Sequence, residues 1–173
     1  MQRRHFLGMG LGALAAGMVQ GIDFASAATA AATHSDTDEA GALPAARRIV
    51  RTSAGNIAYV ERGRGDAALF LHGFPLNGFQ WRGALSRLSP YRRCIAPDFL
   101  GLGYTEVAPG QSLAPDAQVR MLAELLDRLG VDRVDVVAND SGGQAGQLFL
   151  ATYPQRVRTL LLSNCGSQND WPP

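Results

Sequence analysis

The 173-residue chain contains no lysine: all 16 of its basic side chains are arginine, set against 15 acidic ones, for a formal net charge of +1. The arginines are scattered, so the absence reads as genome base composition, and nothing in the charge pattern calls for nucleic acid or an acidic partner. Cysteine is scarce, with Cys94 and Cys165 alone, and histidine is limited to His5, His34 and His72. No His/Cys/Asp cluster has metal-ligand spacing, so neither a metal nor another cofactor is expected. Long hydrophobic runs are missing as well. The uncharged stretch from Phe6 to Val19 is interrupted by glycines and too short to span a bilayer, which argues against a stable membrane anchor. There is no internal repeat, and the 46% hydrophobic content is that of an ordinary globular chain with room for one domain.

What is present begins with a targeting pattern. Arg3-Arg4-His5-Phe6-Leu7 precedes the uncharged stretch, and Ala25-Ser26-Ala27 supplies a small-x-small cleavage site. The segment resembles bacterial twin-arginine (Tat) signal peptides, although Gln2 precedes the arginine pair and Gly8 stands where a lysine often sits. The resemblance implies that residues 1–27 are removed, that the Tat export machinery is a partner, and that the mature protein is periplasmic or secreted. Residues 28–46 are rich in Ala, Thr and Asp without hydrophobic period, which reads as a linker in which His34 is inert.

From Arg47 to Pro173 short apolar strands alternate with helical patterns, the signature of an α/β sheet. Strands are expected at Arg48–Arg51 and Asn56–Glu61, turning at Ala54-Gly55, then at Ala67–Leu71, Arg93–Ala96, Val134–Ala138 and Val157–Ser163. Helices are expected at Phe79–Leu88, from Pro115 to a stop at Gly130, and at Gly143–Tyr153. The middle helix carries Val119, Leu122, Leu125, Leu126 and Leu129 on one face. Arg64-Gly65-Asp66 reads as a turn between strands.

The segment richest in chemistry is Val136-Val137-Ala138-Asn139-Asp140-Ser141-Gly142-Gly143, where a strand runs into a helix through small residues. That is the pattern of a nucleophile elbow, whose strained tip needs small neighbours two before and two or three after. With Asp140 at the tip, Ala138, Gly142 and Gly143 fill those positions. With Ser141 at the tip, the position two before is Asn139, which is large for the role. Asp140 is the better nucleophile candidate and Ser141 the alternative. An ordinary strand-to-helix turn with an N-cap aspartate is the bland alternative. Leu71-His72-Gly73-Phe74-Pro75 follows a buried strand and would bring the Phe74 N–H beside the elbow, making an oxyanion hole with the Ser141 N–H. Asp98-Phe99-Leu100-Gly101-Leu102-Gly103 follows the next strand as a tight flanking loop.

These three segments, in this order and spacing, resemble α/β-hydrolases of the haloalkane dehalogenase and epoxide hydrolase branch. The resemblance implies the N-terminal portion of a mostly parallel sheet with flanking helices, and a cofactor-free hydrolase acting on a small molecule. Asp140 would displace a leaving group from saturated carbon, and a histidine-activated water would hydrolyse the resulting ester. Haloalkane dehalogenases commonly carry tryptophan after the nucleophile and asparagine after the His-Gly as halide donors, whereas Ser141 and Phe74 stand here. The ring-opening tyrosines of epoxide hydrolases lie in a cap segment that the chain does not include. If Ser141 were the nucleophile, ester or amide hydrolysis would be expected instead. None of the three histidines follows a late strand, and Asp170, shortly after Val157–Ser163, is the one residue offered for the third acid. The expectation is therefore a hydrolase cut off before its cap and last strands and inactive as it stands, or a non-catalytic remnant. Its last strand would be an apolar edge. In such a sheet Cys94 and Cys165 lie three strand steps apart, roughly 14 Å at about 4.8 Å per step, too far for a disulfide. Asn139-Asp140-Ser141 is formally a glycosylation sequon, expected to be hidden by the elbow.

Overall fold

A computed structural model describes residues 47–166 of the chain. The twin-arginine segment, the linker, His5, His34 and Asp170 lie outside the described residues. Seven strands form one mixed sheet: β1 (Arg47–Thr52), β2 (Gly55–Arg62), β3 (Ala67–Leu71), β4 (Arg93–Pro97), β5 (Glu106–Val107), β6 (Val134–Asn139) and β7 (Val157–Ser163). Their order is β1-β2-β4-β3-β6-β7, with β5 attached to β2. β4, β3, β6 and β7 run parallel, while β1, β4 and β5 each pair with β2 through antiparallel ladders. Three helices flank the sheet: α1 (Arg82–Leu88), α2 (Pro115–Arg128) and α3 (Ser141–Thr152).

The alternation of side chains along β3 explains why the sheet is covered on both faces. Ala67, Leu69 and Leu71 join the larger core with α2 and α3, whereas Ala68 and Phe70 join Leu85, Cys94 and Ala96 on the α1 side. The apolar stripe of α2 is as the spacing predicts: Val119, Leu122, Leu125 and Leu126 are buried, and Leu129 packs partly buried at the C-cap. Gly130 follows at φ +63°, the left-handed conformation that ends the helix. Replacing Leu125 by alanine would cost about 2–5 kcal/mol through lost burial and a cavity.

Strand ends lie within one residue of those expected, and three larger departures from the sequence reading stand out. The first turn of the helix expected from Phe79 is a 3₁₀ turn, Gly78–Trp81, capped by the Asn77 side chain accepting from the Phe79 N–H at 2.9 Å. α3 starts at Ser141, two residues early, because the Asp140 carbonyl already accepts the Gly143 N–H at 2.9 Å. β5 is unforeseen: two residues are too short for any period, and only pairing with Gly55 and Asn56 defines them. Cys94 in β4 and Cys165 just beyond β7 are three strand steps apart and both free. β7 pairs with β6 alone among the described residues, and its Leu161 and Leu162 are exposed.

The chain leaves β3 for β4 on one side and later returns to β6 on the other. The carboxyl ends of β3 and β6 therefore lie side by side, with Leu71 opposite Ala138. In open parallel sheets such a switch point leaves a crevice where ligands bind.

Candidate active site

Asp140 occupies the turn from β6 into α3 with φ 55° and ψ −128°. A non-glycine residue in this region costs on the order of 1–3 kcal/mol, a strain typical of functional turns. Among the elbow candidates it is Asp140 that carries the strain; Ser141 is already the first residue of the helix. The tight turn rests on close approaches that a side chain would block. A Cβ at Gly142 would sit 2.5 Å from the Leu71 carbonyl oxygen, and one at Gly143 would sit 2.4 Å from the Cys165 sulfur. A Cβ at Gly73 would lie 2.7 Å from the Asp140 Cβ. The three glycines thus let β3, the 72–74 loop and the 164–166 segment close around the elbow.

The two N–H groups expected to form an oxyanion hole converge on one atom. The Ser141 N–H donates to Asp140 Oδ1 at 2.6 Å and the Phe74 N–H donates to the same oxygen at 3.2 Å. Neither engages Oδ2. These donors, Ser141 first and Phe74 second, hold the Asp140 carboxyl below the usual aspartate range by favouring its ionised form. Beside Phe74 and Ser141 lies a cavity of about 250 Å³ whose other walls are Phe99, Leu102, Leu113, Pro115, Gln118, Gln144 and Ala145. Its lining is chiefly apolar, with two glutamine side chains as polar contacts, the usual make-up of a small-molecule site.

His72 is fully buried and both ring nitrogens are engaged. Nδ1 donates to the Gly73 carbonyl at 2.9 Å, and Nε2 accepts the Phe99 N–H at 3.1 Å. Burial lowers its pKa, against smaller opposing pulls from Gly73 and Asp98. A neutral imidazole held in one tautomer, with no free nitrogen, is a pin between the 72–74 and 98–99 loops rather than a base. His72 is the only histidine among the described residues.

Asp98 also does more than its place in a flanking loop suggested. It is buried; Oδ1 accepts the Gly78 N–H at 2.7 Å and Oδ2 the Tyr104 N–H at 2.9 Å. The carboxylate therefore staples the loops that follow β3 and β4. Gly103, at φ +58°, would place a Cβ within 2.2 Å of Asp98 Oδ2, which accounts for the last glycine of the Asp-x-x-Gly-x-Gly run. Asn139 is half-buried, and its Nδ2 donates to the Ser163 carbonyl at 3.1 Å, so the sequon nitrogen is hydrogen-bonded although Asp140 itself is exposed. Among the described residues no group of three or more His, Cys, Asp or Glu could hold a metal ion, and no helix is long and apolar enough to cross a membrane.

Comparison with known proteins gives the arrangement a context. The family model described as alpha/beta hydrolase fold matches residues 67–173. Haloalkane dehalogenase 2 of Mycobacterium tuberculosis is 35% identical over 121 residues, covering 70% of this chain and 42% of that protein. Epoxide hydrolase 2 of Siraitia grosvenorii is 39% identical over 114 residues, covering 65% of this chain and 36% of that protein. The crystal structure of an epoxide hydrolase from Vigna radiata superposes with a TM-score of 0.64 at 32% identity, over 67% of this chain and 38% of that one. The chain thus spans about two fifths of the length of the curated relatives it matches.

Proposed function

The chain belongs to the alpha/beta hydrolase fold family, and on that premise we propose that it carries the nucleophile half of a cofactor-free hydrolase in which Asp140 attacks saturated carbon. The observation that carries the reading is the pairing of both backbone donors with a single oxygen of Asp140. Oδ2 attacks an electrophilic carbon of the substrate; the bond to the leaving atom breaks, and its electron pair departs on halide or on epoxide oxygen. The product is an alkyl ester of Asp140 with Oδ1 as its carbonyl oxygen. When water adds to Cγ, the negative charge develops on Oδ1, where the Phe74 and Ser141 N–H groups already point. The same two donors thus lower the pKa of the nucleophile in the first step and stabilise the oxyanion in the second. His72, the only histidine among the described residues, has no free nitrogen with which to activate that water.

A serine reading draws support from Ser141 lining the cavity. Against it, an acyl-transfer site needs its oxyanion hole open to the substrate carbonyl, and here the hole holds a carboxylate oxygen of the protein. Between alkyl substrates, Phe74 and Ser141 offer no side-chain N–H to a departing halide, which favours an epoxide. The apolar walls at Phe74, Phe99, Leu102 and Leu113 suit a hydrophobic substituent on it. We also propose export through the Tat machinery and a periplasmic or secreted location, on the pattern of residues 3–27 alone; a reporter fusion exported only when Arg3 and Arg4 are intact is the matching test.

The chemistry is tested by offering the full chain a terminal epoxide, a primary alkyl bromide and a p-nitrophenyl ester, and following intact protein mass. Adducts from the epoxide or bromide and none from the ester are expected. Acylation by the ester with no alkyl adduct would replace this reading with the serine one.

A further inference from the structure

The loop bearing the Phe74 donor is tied to the elbow by two carboxamide side chains. The Gly73 N–H donates to Gln80 Oε1 at 2.8 Å, Gln80 Nε2 donates to Asn139 Oδ1 at 2.7 Å, and Asn139 Nδ2 donates to the Ser163 carbonyl at 3.1 Å. The two ends of this chain are backbone groups of known polarity, a donor at Gly73 and an acceptor at Ser163. Each amide therefore has one orientation that satisfies both of its neighbours, and a flip of either would set donor against donor or acceptor against acceptor. Successive bonds in one sense also polarise one another.

The chain ends where the reactive geometry is decided. Gly73 is held on its N–H by Gln80, while its carbonyl accepts from His72 Nδ1 and from the Leu76 N–H, each at 2.9 Å. Fixing Gly73 on both sides fixes the plane of the Gly73–Phe74 peptide, and so the direction in which the Phe74 N–H points. At the other end, the Ser163 carbonyl also accepts the Asp140 N–H at 3.2 Å. One carbonyl at the end of β7 thus anchors both the relay and the nucleophile's own backbone.

We propose that Gln80 and Asn139 are positioning residues that register the Phe74 donor against Asp140 Oδ1. The role rests on the reading of Asp140 as the nucleophile and of Phe74 and Ser141 as its oxyanion donors. It explains why the longer of the two donor contacts, from Phe74, reaches Asp140 across a loop that has no ladder bond of its own to β6. The Ser141 donor needs no such brace, because it is the first N–H of the helix that follows Asp140 directly.

That asymmetry supplies the test. In the full chain, the amide resonances of Phe74 and Ser141 are followed through an acid titration, with Asp140→Asn identifying the responses that belong to Asp140. In the unsubstituted chain both amides should respond with a common midpoint. If neither does, the donor reading of the site itself fails, independently of Gln80. In Gln80→Met, similar in length but unable to take part in the relay, most of the Phe74 response should vanish. The Ser141 response should persist, and the common midpoint should rise toward the ordinary carboxylate value. Asn139→Ala, which leaves Gln80 free to hold Gly73, should act in the same direction but less. It decides the question alone if Gln80→Met gives no dispersed spectrum. Unchanged responses in both variants, or equal loss at Phe74 and Ser141, would overturn the proposal; the second result would mark Gln80 as a general packing residue.

Discussion

Asp135 and Asp140 stand at opposite ends of β6, and their carboxylates are satisfied in contrasting ways. Asp135 accepts from Arg92, from Arg158 and from the Thr159 hydroxyl, with both oxygens engaged, and Arg158 reaches on to Asp66. Asp140 has no cationic partner among the described residues; two backbone N–H groups hold one oxygen and leave the other. A carboxylate saturated by guanidinium groups is a poor nucleophile, because its lone pairs are spent and its charge neutralised. One held on a single side by fixed dipoles keeps a reactive oxygen. Asp98 falls at the saturated end of this comparison, with both oxygens taken by backbone amides. Residue type alone does not separate these three aspartates; the donor set does.

The contrast can be broken most sharply by Asp140→Asn. It should slow alkyl-enzyme formation by about 10⁴-fold or more, the scale seen when a covalent nucleophile is removed, while unfolding in urea changes little. Adduct formation at the original rate, followed by intact mass, would end the contrast. Asp135→Ala should do the reverse. Removing it leaves two half-buried arginines without their shared partner, at a cost of about 2–4 kcal/mol in urea unfolding, with adduct formation retained in the folded fraction. A loss below roughly 1 kcal/mol would place the cluster with ordinary surface pairs.

A smaller effect concerns the backbone. Asp140→Gly relieves the positive φ and should stabilise the chain by about 1 kcal/mol, less a few tenths for the lost cap. Absence of any gain would mean that the elbow stores no strain. The smallest effect is in pH. Because the Ser141 and Phe74 donors favour the ionised form, adduct formation should stay level through mild acid and fall only below the ordinary aspartate value near 3.9. By linkage, a depressed folded-state pKa contributes stability that is present above the unfolded value and lost as pH falls through the folded one. At exposed Asp140 that contribution is screened and small. A rate midpoint at or above 3.9 would contradict the donor geometry.

Much of this architecture could be read along the chain. β3 and β7 have the bounds expected from their apolar runs, and α2 buries the stripe its spacing predicts. The elbow was legible because the demand for small residues at fixed offsets is local. What escaped was long-range. Gln80 looks like any polar residue near a helix start until Asn139, distant in sequence, is brought against it by the pairing of β3 with β6. His72 could be placed in the oxyanion loop from its motif, but its role as a neutral pin needs the Phe99 N–H from another loop. Likewise the burial of Asp98 depends on two loops closing over it, which no window of residues around it reveals.

The most direct measurement is peptide mapping of the full chain after incubation with a terminal epoxide, with tandem mass spectrometry to locate the adduct. An ester on the Asp140 side chain is the expected result, absent in Asp140→Asn and unaffected in Asp135→Ala. A modification on Ser141, or one that survives Asp140→Asn, would contradict it.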